Sequence, residues 1–197
     1  MSTNKELWRR TCSEYRRELP SYLNNNESTG EGRIWLNCGF SIDMCFSRDF
    51  SKYAELFNLN LWNVLDNYLH TNSSPVVVVD IGCGRGDALK EIKNIHGDRV
   101  QTVGFDFVRL SSHASLDRLV VGNFEQIDVP EDLKGTAHLV ISNYVFRYFF
   151  EPLGKPLQKV KILLRKEGIA YIDLSGTTAK KFRFPSLQFN DILEIVP

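Results

Sequence analysis

The chain has 197 residues, a length for one domain with a sizeable core. Its 24 Lys plus Arg offset 24 Asp plus Glu, which excludes a global electrostatic pull towards nucleic acid or an anionic membrane. No apolar run approaches the roughly 18–20 residues that span a bilayer, the start MSTNKELWRR lacks the apolar core of a signal peptide, and Cys12, Cys38, Cys45 and Cys83 form no C-x-x-C pair. A cytoplasmic protein with reduced thiols, no bound metal and no membrane partner is the expectation.

Residues 4–19 place Trp8, Cys12, Tyr15 and Leu19 on one helical face, with Arg9, Arg10, Arg16 and Arg17 elsewhere. Residues 24–32 (NNNESTGEG) are a polar loop without periodicity. Residues 33–48, with Trp35, Phe40 and Phe46, read as a short hairpin or an irregular lid. From Asp49 the stripe Phe50, Tyr53, Ala54, Phe57, Leu61, Leu65, Tyr68 and Leu69 predicts one amphipathic helix, ended by the turn-forming residues 71–75.

Residues 76–87, VVVVDIGCGRGD, carry the strongest signal. Four consecutive valines mark a strand buried on both faces. Asp80 follows near its end, then Gly82, Gly84 and Gly86 at alternate positions, then a helical pattern through Ala88, Leu89, Ile92 and Ile95 with Gly97 as a stop. A strand, glycine turn and helix in succession let a ligand approach the backbone at the carboxyl edge of a sheet. A dinucleotide fingerprint would need its third glycine at position 87, which is Asp, a poor neighbour for a pyrophosphate at a helix start. A nicotinamide-dependent enzyme is therefore the disfavoured alternative.

Downstream, strands are predicted over 100–105, 118–122, 138–142 and 168–174, with a helix over about 156–166 and a last strand at 192–196. This pattern predicts an α/β protein with a doubly wound, mostly parallel sheet, whose strand carboxyl ends share one rim. Asp106 closes the second strand, twenty residues beyond Gly86, the separation at which an acid reaches the ribose of a nucleoside lying across the strand ends. Phe107 can then lie against the base.

The segment 80–86 resembles motif I, (D/E)-x-G-x-G-x-G, of the class I S-adenosylmethionine-dependent methyltransferases, and the likeness extends over about residues 50–175. The resemblance implies S-adenosyl-L-methionine as cofactor, held by Asp80, Gly82, Cys83, Gly84, Asp106, Phe107, Asn123, Phe124 and Asn143. Asn123 stands where the family more often has Asp, and His138 begins a strand that often begins with Asp. Tyr144, Arg147, Tyr148 and Trp35 are implied acceptor contacts, and the amino-terminal segment 1–75 is a helical cap on the cofactor-binding core 76–197. No catalytic base is assigned; His113, His138 and Tyr144 are the residues able to serve. The implied reaction is methyl transfer to a small organic acceptor. An RNA or protein acceptor, or a non-catalytic subunit, are the alternatives. The late cationic cluster (Lys155, Lys159, Lys161, Arg165, Lys166, Lys180, Lys181, Arg183) is a solvated surface or a site for a phosphate-bearing acceptor. Only 22 residues follow position 175, so the carboxyl-terminal sheet is expected to be abbreviated, with an open edge that a second copy or a partner subunit could complete.

Overall fold

The structure, a computed structural model, describes residues 48–107, 109–143, 145–146, 153–174 and 192–196. Helix α1 (Phe50–Phe57) is capped by Asp49, whose carboxylate accepts the Lys52 N–H at 2.7 Å. The sequence stripe predicts one helix through Leu69, but the chain makes two. Asn58 adopts a left-handed conformation (φ 51°) and closes α1, and Asn60 caps α2 (Leu61–Thr71) by accepting the Asn63 N–H. Asparagine tolerates that conformation and caps well, so Asn58-Leu59-Asn60 breaks the helix without interrupting its apolar face.

Strand β1 (Val76–Ile81) leads through the glycine turn into α3 (Asp87–His96), then β2 (Val100–Asp106) and β3 (Arg118–Val121). Strand β4 (Ala137–Ser142), α4 (Gly154–Leu163), β5 (Leu164–Asp173) and β6 (Ile192–Ile195) follow. The six strands lie in the order β3-β2-β1-β4-β5-β6. The first five are parallel, and β6 runs antiparallel along β5. The strand order reverses between β1 and β4, which puts a crevice at their carboxyl ends.

Alternation along β1 allots its side chains to two cores. Val77, Val79 and Ile81 pack with Val160 and Leu163 of α4 and with Phe124, Val129 and Leu133. Val76 and Val78 face Phe50, Tyr53, Leu61 and Leu65 of α1 and α2 and Leu89 and Ile92 of α3. Each such side chain contributes roughly 1.5–3 kcal/mol by leaving water. Asp80 shares the parity of Val76 and Val78, so it too points towards α1.

The crossovers after β2 and β3 are thinner than a doubly wound sheet leads one to expect. Each carries a 3₁₀ turn, Ser111–Ser115 and Glu131–Leu133. The four-residue β3 is consequently half exposed. Asp117 anchors its start by accepting from the Thr102 N–H and hydroxyl (2.8 and 2.9 Å) and pairing with Lys93 at 3.0 Å.

Helix α4 ends three residues before the expected 166, and β5 begins at once. Leu164 pairs with Ala137, the register then shifts, and pairing resumes at Leu139↔Ile169. Gly168 permits this crossing, since a Cβ there would lie 2.4 Å from the Ala137 carbonyl oxygen. The expected last strand forms as β6. Among the described residues, no helix is long and apolar enough to cross a membrane.

Candidate functional site

The glycine turn is folded against the end of β2. The N–H groups of Gly82 and Cys83 both donate to the Phe105 carbonyl, at 2.8 and 3.0 Å, and the Gly84 N–H donates to Asp106 Oδ2 at 2.9 Å. Gly82, Gly84 and Gly86 have φ of +74°, +55° and +73°, conformations that explain the alternate glycines. The sequence led us to expect amides of this turn open to a ligand. Those of residues 82–84 are instead paired within the protein, and Val145 lies against Gly82, its Cγ2 2.0 Å from where a Cβ would stand.

Cys83 turns its side chain inward. Its sulfur packs on Gly104, where a Cβ would meet Sγ at 2.7 Å, and burial pushes the thiol well above its usual range. It is a small space-filling residue, and only its backbone borders the turn. His113 lies beneath, 3% exposed. Its Nδ1 accepts the Leu110 N–H at 3.0 Å, which leaves the proton on Nε2 to donate to the Gly84 carbonyl, with Cys83 Sγ at 3.8 Å. Gly84 is thus held at both of its backbone polar groups, by Asp106 at its N–H and by His113 at its carbonyl oxygen.

Two acids flank the turn. Asp106 is buried at the end of β2, and Asp80 is 1% exposed on β1. Burial above all pushes the Asp80 carboxyl up to about 8, and the charge of Asp106 adds to the rise. The Tyr53 hydroxyl of α1 lies 3.2 and 3.3 Å from the two Asp80 oxygens and opposes that rise. Among the described residues no cationic side chain pairs with Asp80.

Phe107 stands half exposed at the end of β2. Beyond β3, Asn123 Oδ1 accepts the Glu125 N–H at 2.9 Å, closing a turn on itself. Phe124 is buried edge-on against Phe105, ring centroids 5.3 Å apart, so its backbone and not its ring borders the crevice. Lys159 of α4 secures this turn by donating to the carbonyls of Phe124, Glu125 and Ile127 at 3.0, 2.6 and 2.7 Å. One member of the late cationic cluster is therefore structural, as is Arg165, which bonds Asn72 and His138.

After β4, Asn143 is 7% exposed, and its buried Nδ2 has no hydrogen-bond partner among the described residues. Such an orphaned donor costs about 1–3 kcal/mol unless something accepts from it. His138 sits at the opposite end of β4, far from the strand ends that form the crevice. Its Nδ1 accepts the Val77 N–H at 3.0 Å, and burial and the Arg165 charge depress the imidazole to about 4. Neither His113 nor His138 faces the crevice as a base. The expected contacts Tyr144, Arg147, Tyr148 and Trp35 lie outside the described residues. Sequence reasoning missed Tyr53 as the partner of Asp80, because a tyrosine on an amphipathic stripe carries no mark of what it meets.

No family model matches this sequence, and no curated protein does. Solved structures similar to it include the citrinin polyketide synthase CMeT domain (16% identity, TM-score 0.42, over 55% of this chain and 33% of that one). Others are a SAM-dependent methyltransferase from Aquifex aeolicus (18%, 0.41, over 64% and 72%) and the plantazolicin methyltransferase BpumL in complex with SAH (16%, 0.47, over 92% and 66%). The chain thus spans about a third of the length of the first of these. At such identities a shared chain path carries no activity across. The doubly wound, mostly parallel α/β sheet is read from this chain's own strand order.

Proposed function

We propose that this chain binds S-adenosyl-L-methionine across the carboxyl ends of β1, β2 and β4 and directs methyl transfer to a small organic acceptor. The observation that carries this is the pair of buried acids, Asp80 and Asp106, on adjacent strands, with the glycine turn following the first and bonded to the second. Asp106 is suited to accept from ribose hydroxyls, because a carboxylate takes several hydrogen bonds at once, one of them here from the Gly84 N–H. Asp80, buried with no cationic partner among the described residues, suits the ammonium of the methionine end. The orphaned Nδ2 of Asn143 is a donor and so complements the carboxylate of that end better than its ammonium. Phe107 offers an aromatic face to the base, and the backbone of Phe124, fixed by Lys159, offers polar groups to its edge.

When bound, the cofactor supplies a methyl group on an already activated sulfonium. The work left to the protein is to orient the acceptor and exclude water, and such positioning is worth roughly 7–11 kcal/mol. A small organic acceptor fits the zero net charge and the aromatic-rich segment 33–48. RNA or protein acceptors are less well matched to that charge. A second reading, a methyltransferase-like subunit without activity, is favoured by the internally paired amides of 82–84 and by Val145 on Gly82.

Isothermal titration with S-adenosylhomocysteine separates the two. The enzyme reading expects micromolar binding that Asp106→Ala weakens by roughly 1.5–3 kcal/mol, the scale of hydrogen bonds to a charged group. An unchanged affinity in that variant contradicts the ribose role of Asp106. No binding to folded protein favours the inactive subunit.

A further inference from the structure

The site has one feature that its proposed role in cofactor binding does not require. A carboxyl group is enclosed with a tyrosine hydroxyl from a helix that precedes the sheet. Asp80 lies on the α1 side of β1, and Tyr53, 5% exposed, reaches both of its oxygens. Among the described residues, the remaining groups that face it supply no pairing cation. From β2 comes a second acid, Asp106; from the glycine turn comes the buried thiol of Cys83, itself influenced by Lys90 of α3. On β4, Ser142 is spent on the Ile81 carbonyl and Asn143 is a neutral amide. Arg48, ahead of α1, acts on Tyr53 through its charge.

We propose that Asp80 and Tyr53 form a proton-releasing receptor for the ligand's ammonium: the carboxyl stands as a neutral acid until a cation arrives, then gives its proton to solvent. This inference rests on the proposed S-adenosylmethionine site and deepens it. The O–H bond of the carboxyl breaks, the electron pair stays on the carboxylate, and the proton passes to the buffer. The ammonium keeps its own charge, so a neutral buried acid is replaced by a compensated ion pair. A hydroxyl both donates and accepts, so Tyr53 accepts from the neutral acid and donates to the carboxylate. It therefore stays bonded on either side of the step, which no apolar residue could do. Burial that holds the carboxyl up to about 8 fits the same picture. Tyr53 is a positioning residue, acting through Asp80.

Calorimetric titration of the full chain with S-adenosylhomocysteine, in buffers of different ionisation enthalpy, counts the protons. Release close to one per ligand is expected at pH 7, falling to half near pH 8. Affinity should rise by nearly tenfold per pH unit between about pH 6 and 7.5. Methylthioadenosine, which lacks the ammonium, should release none. Asp80→Asn, nearly isosteric, should abolish the release and so corrects for any proton exchanged by the ligand itself. Tyr53→Phe should move half-release to higher pH and weaken binding at pH 7 by about tenfold. If Tyr53→Phe does not fold, Asp80→Asn still decides the proton step.

Binding without proton release, or release that persists in Asp80→Asn, overturns the inference and leaves the cofactor site standing. An unmoved half-release point in Tyr53→Phe removes Tyr53 from it. Failure of the folded wild type to bind S-adenosylhomocysteine overturns both the inference and the cofactor reading beneath it.

Discussion

At the scale of single residues, Asp80 shows how burial sets the protonation of a side chain. A carboxyl 1% exposed, held up to about 8 against an ordinary 3.8, keeps its proton in the folded chain at pH values where the unfolded chain has lost it. The stability it contributes is therefore full below about pH 4 and is lost as pH rises through about 8. Asp80→Asn cannot ionise. It should match the wild type near pH 4 and exceed it by a few kcal/mol at pH 8, at roughly 1.4 kcal/mol for each unit of difference. Thermal or urea unfolding at the two pH values checks this, and a constant difference between the proteins would contradict it. Asp117 behaves in the opposite sense. Hydrogen bonds from Thr102 and the Lys93 charge outweigh its burial and lower its carboxyl, so its contribution is present at neutral pH and fades in acid.

At the scale of elements, the glycine turn separates two reasons for the same residue type. Gly135 has φ +65° with open space where a Cβ would stand, so Gly135→Ala costs the left-handed strain alone, about 1–2 kcal/mol. Gly82 has φ +74° and Val145 within 2.0 Å of that position, so overpacking is added to strain. Gly82→Ala should therefore cost roughly 2–5 kcal/mol. Chemical denaturation of the two variants tests the ranking, and equal losses would mean that Val145 yields freely. The motif showed that glycines belong at 82, 84 and 86. That the first admits a neighbouring loop, and that the turn spends its amides on Phe105 and Asp106, depends on residues brought close from other strands.

At the scale of the molecule, α1 and α2 share one continuous core with β1, α3 and β4. Phe50, Leu61 and Leu65 are wholly enclosed in it, and Ser51 of α1 bonds Glu91 of α3 through both its N–H (3.0 Å) and its hydroxyl (2.8 Å). Tyr68 of α2 donates to the Glu167 carbonyl at 2.6 Å, tying that helix to β5. Hydrogen exchange should therefore find the amides of α1 and α2 protected to nearly the same free energy as those of β1, opening in one cooperative unit. Markedly faster exchange in both helices would describe a cap that opens independently of the sheet, with Tyr53 leaving Asp80 as it does so.

The sequence by itself determined the parallel sheet, because buried strands and amphipathic helices write their periodicity locally. It also placed Asp80, Asp106, Asn123 and Asn143 at strand ends, because strand direction fixes which ends meet. It could not tell that Asn58 would split a continuous apolar stripe into two helices, since the stripe survives the break. Nor could it tell that His138 and Lys159 are structural, or that Tyr53 meets Asp80 across 27 positions of chain. Those facts depend on which groups burial leaves facing each other, and only the tertiary structure decides that, because the cost of an unpaired polar group is settled by neighbours distant in the chain.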